Sequence, residues 1–185
     1  MTYLDYTESD FYIAIKQLLI ERGKKVELCK GETLCYAGEI TSKLGFLANG
    51  SLKYSHTPTN GHECIVSFAF TGDLVGSYSC MRHHSPSLLD IVALESSEIY
   101  QLPVAQIDAA IEPAFRTKLA EALCYELLKS TIDYCCHSPE ERYIALNERF
   151  PHIHNRITNR TIASYLGITP ESLSRLRKRL LTRQP

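Results

Sequence analysis

The sequence lacks several patterns that define large classes of proteins. No apolar run approaches the ~18 residues that a membrane-spanning helix needs. The acidic start of the chain lacks the basic-then-apolar pattern of a signal peptide, so we expect a cytoplasmic protein with no membrane partner. Nucleophile-elbow, P-loop and zinc-protease motifs are also missing, and Asp73 and Asp90 have no evident acid–base partner. We therefore expect a protein that is not an enzyme.

The chain has almost no net charge, but its charge is unevenly distributed. The 185 residues carry a net charge of −1. Residues 151–185 hold seven Lys and Arg against one acid, Glu171, which gives this segment +6 and leaves −7 for the rest. A basic block on an acidic body is the electrostatic pattern of a DNA-reading module.

Residues 157–181 predict two short helices around a tight turn. Thr158 or Asn159 can cap the first helix. Its apolar face consists of Ile162, Ala163 and Leu166. Gly167 follows where the helix must end and the chain needs a left-handed residue.

The second helix of this pair combines an apolar stripe with a basic outer surface. Thr169 supplies an N-cap and Pro170 suits the first helical position. The stripe is formed by Leu173, Leu176 and Leu180. The outer surface carries Ser172, Arg175, Arg177, Lys178 and Arg179. This pattern favours a helix-turn-helix over an ordinary helical hairpin, because a helix that enters the major groove needs both surfaces.

The upstream chain changes from helical to strand periodicity and back. Residues 9–22 predict an amphipathic helix capped by Ser9. Short apolar runs between glycine-containing turns then extend from Val26 to about Leu102, which indicates an antiparallel roll. A hairpin turn is predicted at residues 58–61, Pro-Thr-Asn-Gly. Helices are predicted at 104–110, at 114–136 and from 138 to about 150, followed by a loop at 152–156.

The long helix at 114–136 has a coiled-coil-like seam. Its members are Ala120, Leu123, Leu127, Ser130 and Tyr134, which alternate steps of three and four. Such a seam favours pairing with a second copy of the chain. Packing of the same face on the chain's own roll is the alternative.

This order of elements resembles the Crp/Fnr family of bacterial transcription regulators. The resemblance covers nearly the whole chain and is carried by residues 30–39, 47–52, 59–76, 91–103, 138–146 and 157–178. The last stretch, with SYLGITPESLSRLRK, is similar to members from Bacteroidetes. The implied fold is α+β: an antiparallel cyclic-nucleotide-binding-like roll (residues 1–113), a long dimerisation helix (114–137) and a C-terminal helix-turn-helix (138–185).

The resemblance also implies an effector pocket in the roll, and this sequence departs from its pattern. Family members that bind cyclic nucleotides carry Gly-Glu, and then Arg-Ser or Arg-Thr, for ribose and phosphate. Here Gly76-Ser77 and Ser87-Leu88 stand at those positions, and the nearby cation is Arg82. The predicted pocket residues are Gly72, Gly76, Ser77, Arg82, Ser87 and Leu88. We expect this pocket not to bind cAMP or cGMP, since a cyclic phosphate needs a guanidinium.

Iron–sulfur and haem cofactors occur in the family, but the cysteines and histidines of this sequence are not spaced as such cofactors require. The seven cysteines include no compact group of three, so free thiols are favoured. A haem would depend on His62, His83 and His84, which are more readily explained as exposed polar residues. We expect no cofactor and no metal.

The family's recognition helix implies base contacts by Thr169, Glu171, Ser172 and Arg175. Arginine forms paired bonds with guanine, and a carboxylate accepts from cytosine. Thr158, Arg160, Arg177 and Lys178 complete the predicted DNA-binding set. The family's β-hairpin wing is expected to be truncated or absent before Pro185, which leaves phosphate contacts to Arg156, Arg160 and Arg183.

The predicted function is a homodimeric regulator that reads a palindromic operator in double-stranded DNA. RNA polymerase and an unidentified small-molecule effector are further candidate partners. The alternative is a ligand-binding or interaction module whose basic C-terminal segment binds DNA non-specifically.

Overall fold

The fold was derived from a computed structural model, which describes residues 9–59, 61–151 and 153–182. The strands are β1 (Lys24–Leu28), β2 (Thr33–Cys35), β3 (Lys43–Asn49), β4 (Ser51–His56), β5 (Cys64–Phe70), β6 (Leu74–Val75), β7 (Asp90–Ala93) and β8 (Ser97–Pro103). The helices are α1 (Asp10–Arg22), α2 (Tyr78–His83), α3 (Val104–Ala110), α4 (Pro113–Cys136), α5 (Pro139–Arg149), α6 (Ile153–Arg156), α7 (Asn159–Leu166) and α8 (Pro170–Leu181).

The strands form two four-stranded antiparallel sheets, which confirms the predicted α+β class and the roll. One sheet has the order β1-β8-β3-β6 and the other β2-β7-β4-β5. Alternate side chains of both sheets fill the space between them, led by the fully buried Leu47, Leu52 and Ile99. The roll is thus closed by its own apolar core.

The predicted β4–β5 hairpin is confirmed. His56 pairs with Cys64 next to the connecting loop, and Ser51 pairs with Phe70 at the open end. The N–H of Gly61 donates to the carbonyl of Pro58 at 2.9 Å, and Gly61 has a φ of +77°. Asn60 lies outside the described residues.

The N-terminal helix covers one face of the roll. Ser9 caps α1 by accepting from the backbone N–H of Tyr12. Phe11, Ile15 and Leu19 are buried against β3 and β8, together with residues of α3 and the start of α4. The hydroxyl of Tyr12 donates to the carbonyl of Gly72 and so ties α1 to the β5–β6 turn.

The C-terminal helices begin with a complete capping box. Ser138 Oγ accepts from the N–H of Glu141, whose carboxylate accepts from the N–H of Ser138 at 2.8 Å. Pro139 occupies the first helical position, as predicted. The loop predicted at 152–156 is wrong in part, because Ile153–Arg156 forms one helical turn that is anchored by the fully buried Ile153.

Within the described ranges, no helix has both the length and the apolarity to cross a membrane. All seven cysteines are free thiols, and Cys35 and Cys80 are buried in the roll. No cluster of three or more His, Cys, Asp or Glu side chains suited to a metal ion occurs among the residues that the structure describes.

Candidate nucleic-acid interface

The first helix of the pair is held at both ends by the predicted residues. Thr158 Oγ1 accepts from the N–H of Thr161 at 3.2 Å. Gly167 has a φ of +68°, the left-handed conformation, and the following N–H of Ile168 donates to the carbonyl of Ala163. Thr158 therefore acts as a helix cap, which fixes where the N-terminus of α7 points.

The second helix is anchored by its predicted apolar stripe. Thr169 caps α8 by accepting from the N–H of Ser172 at 3.2 Å, and Pro170 is the first helical residue. Leu173 and Leu176 are buried against α7 and α5. This fixes which side of α8 faces solvent.

The predicted base-reading residues lie together on the first two turns of α8. Thr169, Glu171 and Arg175 are exposed and Ser172 is half-buried. Ser172 Oγ accepts from both Thr169 Oγ1, at 3.2 Å, and Arg175 Nη2, at 3.3 Å. Three of the four thus form one polar row, in which Ser172 orients the arginine.

Glu171 is ionised at the start of the same helix. Its own backbone N–H donates to the carboxylate and, together with the polar side chain of Thr169, holds the pKa of Glu171 below its usual range. A carboxylate is also favoured by the positive end of the helix dipole. The start of α8 therefore presents a carboxylate acceptor and a guanidinium to solvent side by side.

The remaining predicted cations divide into two groups. Arg177 Nη1 donates to Asn159 Oδ1 at 2.9 Å and so ties α8 to the start of α7. Arg179 forms an ion pair with Glu140 on α5. Arg160 and Lys178 are exposed. Arg177 and Arg179 therefore stabilise the helical unit, whereas Arg160 and Lys178 are accessible to phosphate.

Arg156, which was predicted to contact phosphate, has its hydrogen-bond partners in the roll. Its Nη2 donates to Glu95 Oε1 at 2.6 Å and to the carbonyl of Gly50 at 3.0 Å. Its guanidinium also lies 5.0 Å from the centre of the Phe70 ring. Burial alone would raise the pKa of Glu95, but the hydrogen bond and the positive charge of Arg156 outweigh it and lower the pKa. Arg156 is thus a contact between the helices and the roll. Arg183 lies outside the described residues.

The helix-turn-helix packs directly on β5, which the sequence interpretation did not foresee. Ser164 Oγ donates to the carbonyl of Glu63 at 2.8 Å, and the rings of Tyr165 and Phe68 lie 5.2 Å apart. Phe68, Ala69 and Phe70 are consecutive and all buried. A continuous apolar run at the end of a strand indicates cover on both faces, and this signal could have predicted the contact.

The seam predicted on the long helix is exposed in the single chain. Leu123, Leu127 and Tyr134 are 39%, 70% and 67% exposed, and Ala120 is half-buried. Tyr134 also lies under the guanidinium of Arg142 at 4.8 Å. Among the described residues, the roll therefore leaves most of this apolar seam uncovered.

The predicted pocket residues of the roll are only partly brought together. The N–H of Gly76 donates to the hydroxyl of Tyr54 at 3.3 Å, and burial raises the pKa of Tyr54 to about 12. Ser87 is buried, and its hydroxyl donates to the carbonyl of Leu89 at 2.7 Å. Leu88 is 73% exposed.

The three other residues predicted to line the pocket are Gly72, Ser77 and Arg82. Gly72 stands in the β5–β6 turn against Tyr12, and Ser77 accepts from the N–H of Met81 at the start of α2. The side chain of Arg82 lies outside the described part of the structure. The wing prediction concerns residues beyond Thr182, which are likewise outside it.

Comparison with known proteins gives three concordant results. Residues 25–113 match the cyclic nucleotide-binding domain family. The chain is similar to the fumarate and nitrate reduction regulatory proteins of Salmonella typhimurium and Escherichia coli, with 30% identity over 175 residues, 85% of this chain and 68% of theirs. Among solved structures, FixK2 from Bradyrhizobium japonicum has a TM-score of 0.74 at 20% identity, covering 87% of this chain and 85% of that one. The Thermus thermophilus catabolite activator protein has a TM-score of 0.58 at 18% identity, covering 95% and 84%.

Proposed function

Because this chain belongs to the Crp/Fnr family of transcription regulators, we propose that it binds a palindromic DNA operator as a homodimer. The curated relatives are regulatory proteins, and the proposal therefore starts from a regulatory role and not from an enzymatic one. The recognition element in this proposal is α8, placed in the major groove.

The observation that carries the proposal is the polar row at the exposed start of α8. Thr169, Ser172 and Arg175 are joined by hydrogen bonds, with the ionised Glu171 beside them. A preorganised arginine loses less conformational freedom when it binds paired acceptors on guanine. Arg160 and Lys178 then supply phosphate contacts, which position the helix without specifying a sequence.

The homodimer in this proposal forms through the exposed seam of α4. Ala120, Leu123, Leu127 and Tyr134 present an apolar stripe over about four turns of a 24-residue helix. A two-fold axis along this helix gives two recognition helices, whose half-sites are about 34 Å apart on DNA. The same proposal divides the chain by function into a sensor roll (residues 1–113), a dimerisation helix (114–137) and a DNA-binding unit (138–185).

We further propose that the pocket of the roll does not bind cyclic nucleotides. The carboxylate and arginine that would hold ribose and phosphate are replaced by Ser77 and Leu88. The N–H of Gly76 already donates to Tyr54, and the hydroxyl of Ser87 already bonds Leu89. Among the pocket residues whose side chains the structure describes, these two donors are therefore not available to an anionic phosphate.

Selection of bound sites from a random DNA pool, repeated at two salt concentrations, tests the proposal. We expect a palindromic consensus that persists at the higher salt, because base contacts do not depend on counterion release. Salt-labile binding without a consensus would instead favour the interaction module with a non-specific basic segment. The Arg175→Ala protein is the matched control, since its consensus should lose information at one position of each half-site.

A further inference from the structure

A cavity of about 320 Å³ lies where the roll meets the helical C-terminal unit. The β5–β6 turn contributes Phe70, Thr71 and Asp73, and the α5–α6 junction contributes Arg149, Phe150 and Arg156. This is separate from the pocket segment around Gly76 and Ser87. Its volume is at the small end of the range for sites that hold organic ligands, and such sites often lie between structural units.

Two phenylalanine rings lie in tilted contact beside this cavity, and a guanidinium lies over each of them. The rings of Phe70 and Phe150 have centres 4.1 Å apart. Arg156 lies 5.0 Å from the centre of Phe70, and Arg149 lies 5.1 Å from the centre of Phe150. Stacking on an aromatic face restricts the arginine side chain and leaves the edge of its guanidinium for hydrogen bonds.

The guanidinium of Arg156 has N–H donors that its hydrogen bonds do not use. Both of its hydrogen bonds, to Glu95 and to the carbonyl of Gly50, come from Nη2. Within the part of the chain that the structure describes, Nη1 and Nε of Arg156 have no hydrogen-bond acceptor. Arg149 forms an ion pair with Glu126 at 3.7 Å. The cavity wall therefore contains one arginine with unused donors, Arg156, and a second cation, Arg149.

We propose that this cavity binds a small organic anion, whose carboxylate or phosphate contacts Arg156 and Arg149 and whose apolar body lies against Phe70 and Phe150. The ligand would touch the roll and the helical unit at once. Binding would therefore stabilise the observed packing of the helical unit on the roll, because the ligand binds only when that packing forms the cavity. This site does not depend on whether the protein reads a specific DNA sequence.

Isothermal titration calorimetry on the full chain tests the site without DNA. The probes are benzoate and phenyl phosphate, with benzyl alcohol as the uncharged control. We expect at least one anion to bind, and binding of benzyl alcohol to be about tenfold weaker or more, since a charge-assisted hydrogen bond is lost. Comparison of the two anions then separates a carboxylate site from a phosphate site.

Variants decide whether the anion uses the cavity. Arg149→Gln should weaken binding of the preferred anion about tenfold. Arg22→Gln, which removes an exposed arginine from α1, is the matched control and should leave it unchanged. Arg156→Gln should also weaken binding of the anion. Because Arg156 also joins the helical unit to the roll, Arg156→Gln could loosen that contact, and the Arg149→Gln result is then the one that decides. Equal affinities in Arg149→Gln and Arg22→Gln, or equal binding of benzyl alcohol, would overturn the proposal.

The acid in the cavity wall adds a second readout. Burial raises the pKa of Asp73 to about 6, against the opposing effects of the Phe70 N–H and Arg149 and with a further increase from Glu126. The ionised carboxylate repels an anion, so binding should tighten as pH falls through about 6. Asp73→Asn should remove this tightening. A pH dependence that is unchanged in Asp73→Asn would place the anion elsewhere.

Discussion

The guanidinium of Arg156 lies 2.6 Å from the carboxylate of Glu95, and this pair joins the helix-turn-helix unit to the roll. Only four positions later, Arg160 is exposed. The two arginines look equivalent in the sequence but have different surroundings. Arg156, in α6, contacts the β3–β4 and β7–β8 turns of the roll, whereas Arg160 lies at the solvent-facing start of α7. Substituting each arginine in turn should therefore have different effects on the salt dependence of DNA binding.

Arg160→Gln should reduce the salt dependence of DNA binding, and Arg156→Gln should not. Each phosphate contact releases about one counterion, so losing it lowers the slope of log K against log salt by about 1. The slope is measured by fluorescence anisotropy on one duplex over a salt series. A reduced slope in Arg156→Gln would mean that Arg156 leaves Glu95 when DNA binds.

Arg175→Ala should cost about 1–3 kcal/mol of binding free energy on the cognate site and relax the choice at one base position. The reason is that Arg175 is held by Ser172 in the exposed polar row. Lys178→Ala is the matched control and should weaken binding uniformly across sequences. Competition titrations with singly substituted operators measure both. An equal loss on random DNA would show that Arg175 meets only phosphate.

The local features of the helix-turn-helix were predictable because they depend on neighbouring residues. A hydroxyl at Thr158 or Thr169 caps the helix that begins beside it, and a glycine at 167 allows a positive φ. Each of these interactions closes within four residues. Residue type and spacing alone therefore fix them.

The contacts between the roll and the helices were not predictable in the same way. Arg156 reaches Gly50 across 106 positions and Glu95 across 61. Ser164 reaches Glu63 across 101 positions. No local pattern encodes such pairs, since they follow from how two separately formed units pack. The buried run at Phe68–Phe70 indicated that β5 is covered, but not by which helix.

Leu127→Glu should convert the proposed homodimer into a folded monomer. Leu127 is 70% exposed in the single chain, so the charge costs little there, but a two-fold seam would bring two carboxylates together in an apolar interface. Ile13→Glu, at a 50% exposed position on α1, is the control and should stay dimeric. Sedimentation velocity measures the mass, and far-UV circular dichroism checks folding. A dimeric Leu127→Glu protein would exclude this face of α4.

Two glycines should respond differently to alanine. Gly167 has a φ of +68° with open space around an added Cβ, so Gly167→Ala should cost only the conformational strain, about 1 kcal/mol. Gly50 has a φ of +107°, and its added Cβ would lie 2.2 Å from Ser97 Oγ. Gly50→Ala should therefore cost more than about 3 kcal/mol. Urea unfolding measures both, and equal losses would contradict the close approach of Gly50 to Ser97.

Asp73 should make the protein less stable as pH rises toward neutrality. Its folded pKa is about 6 against an ordinary value of 3.8, so the folded chain binds this proton more tightly than the unfolded chain does. The resulting stabilisation is fully present below pH 3.8 and is lost as pH rises through about 6. Above that pH, the folded protein keeps a half-buried carboxylate ionised at a cost of about 3 kcal/mol.

Asp73→Asn isolates that cost, because the amide oxygen can still accept from the N–H of Phe70, which now bonds the carboxylate at 2.7 Å. Its gain in unfolding free energy over the native protein should grow from near zero at about pH 3 to about 3 kcal/mol at about pH 7. Asp73→Ala, which loses the acceptor too, should show the same pH dependence from a lower starting stability. Urea unfolding over this pH range measures all three proteins. A constant difference between Asp73→Asn and the native protein would mean that Asp73 titrates as an ordinary exposed carboxyl, and that the β5–β6 turn is open to water.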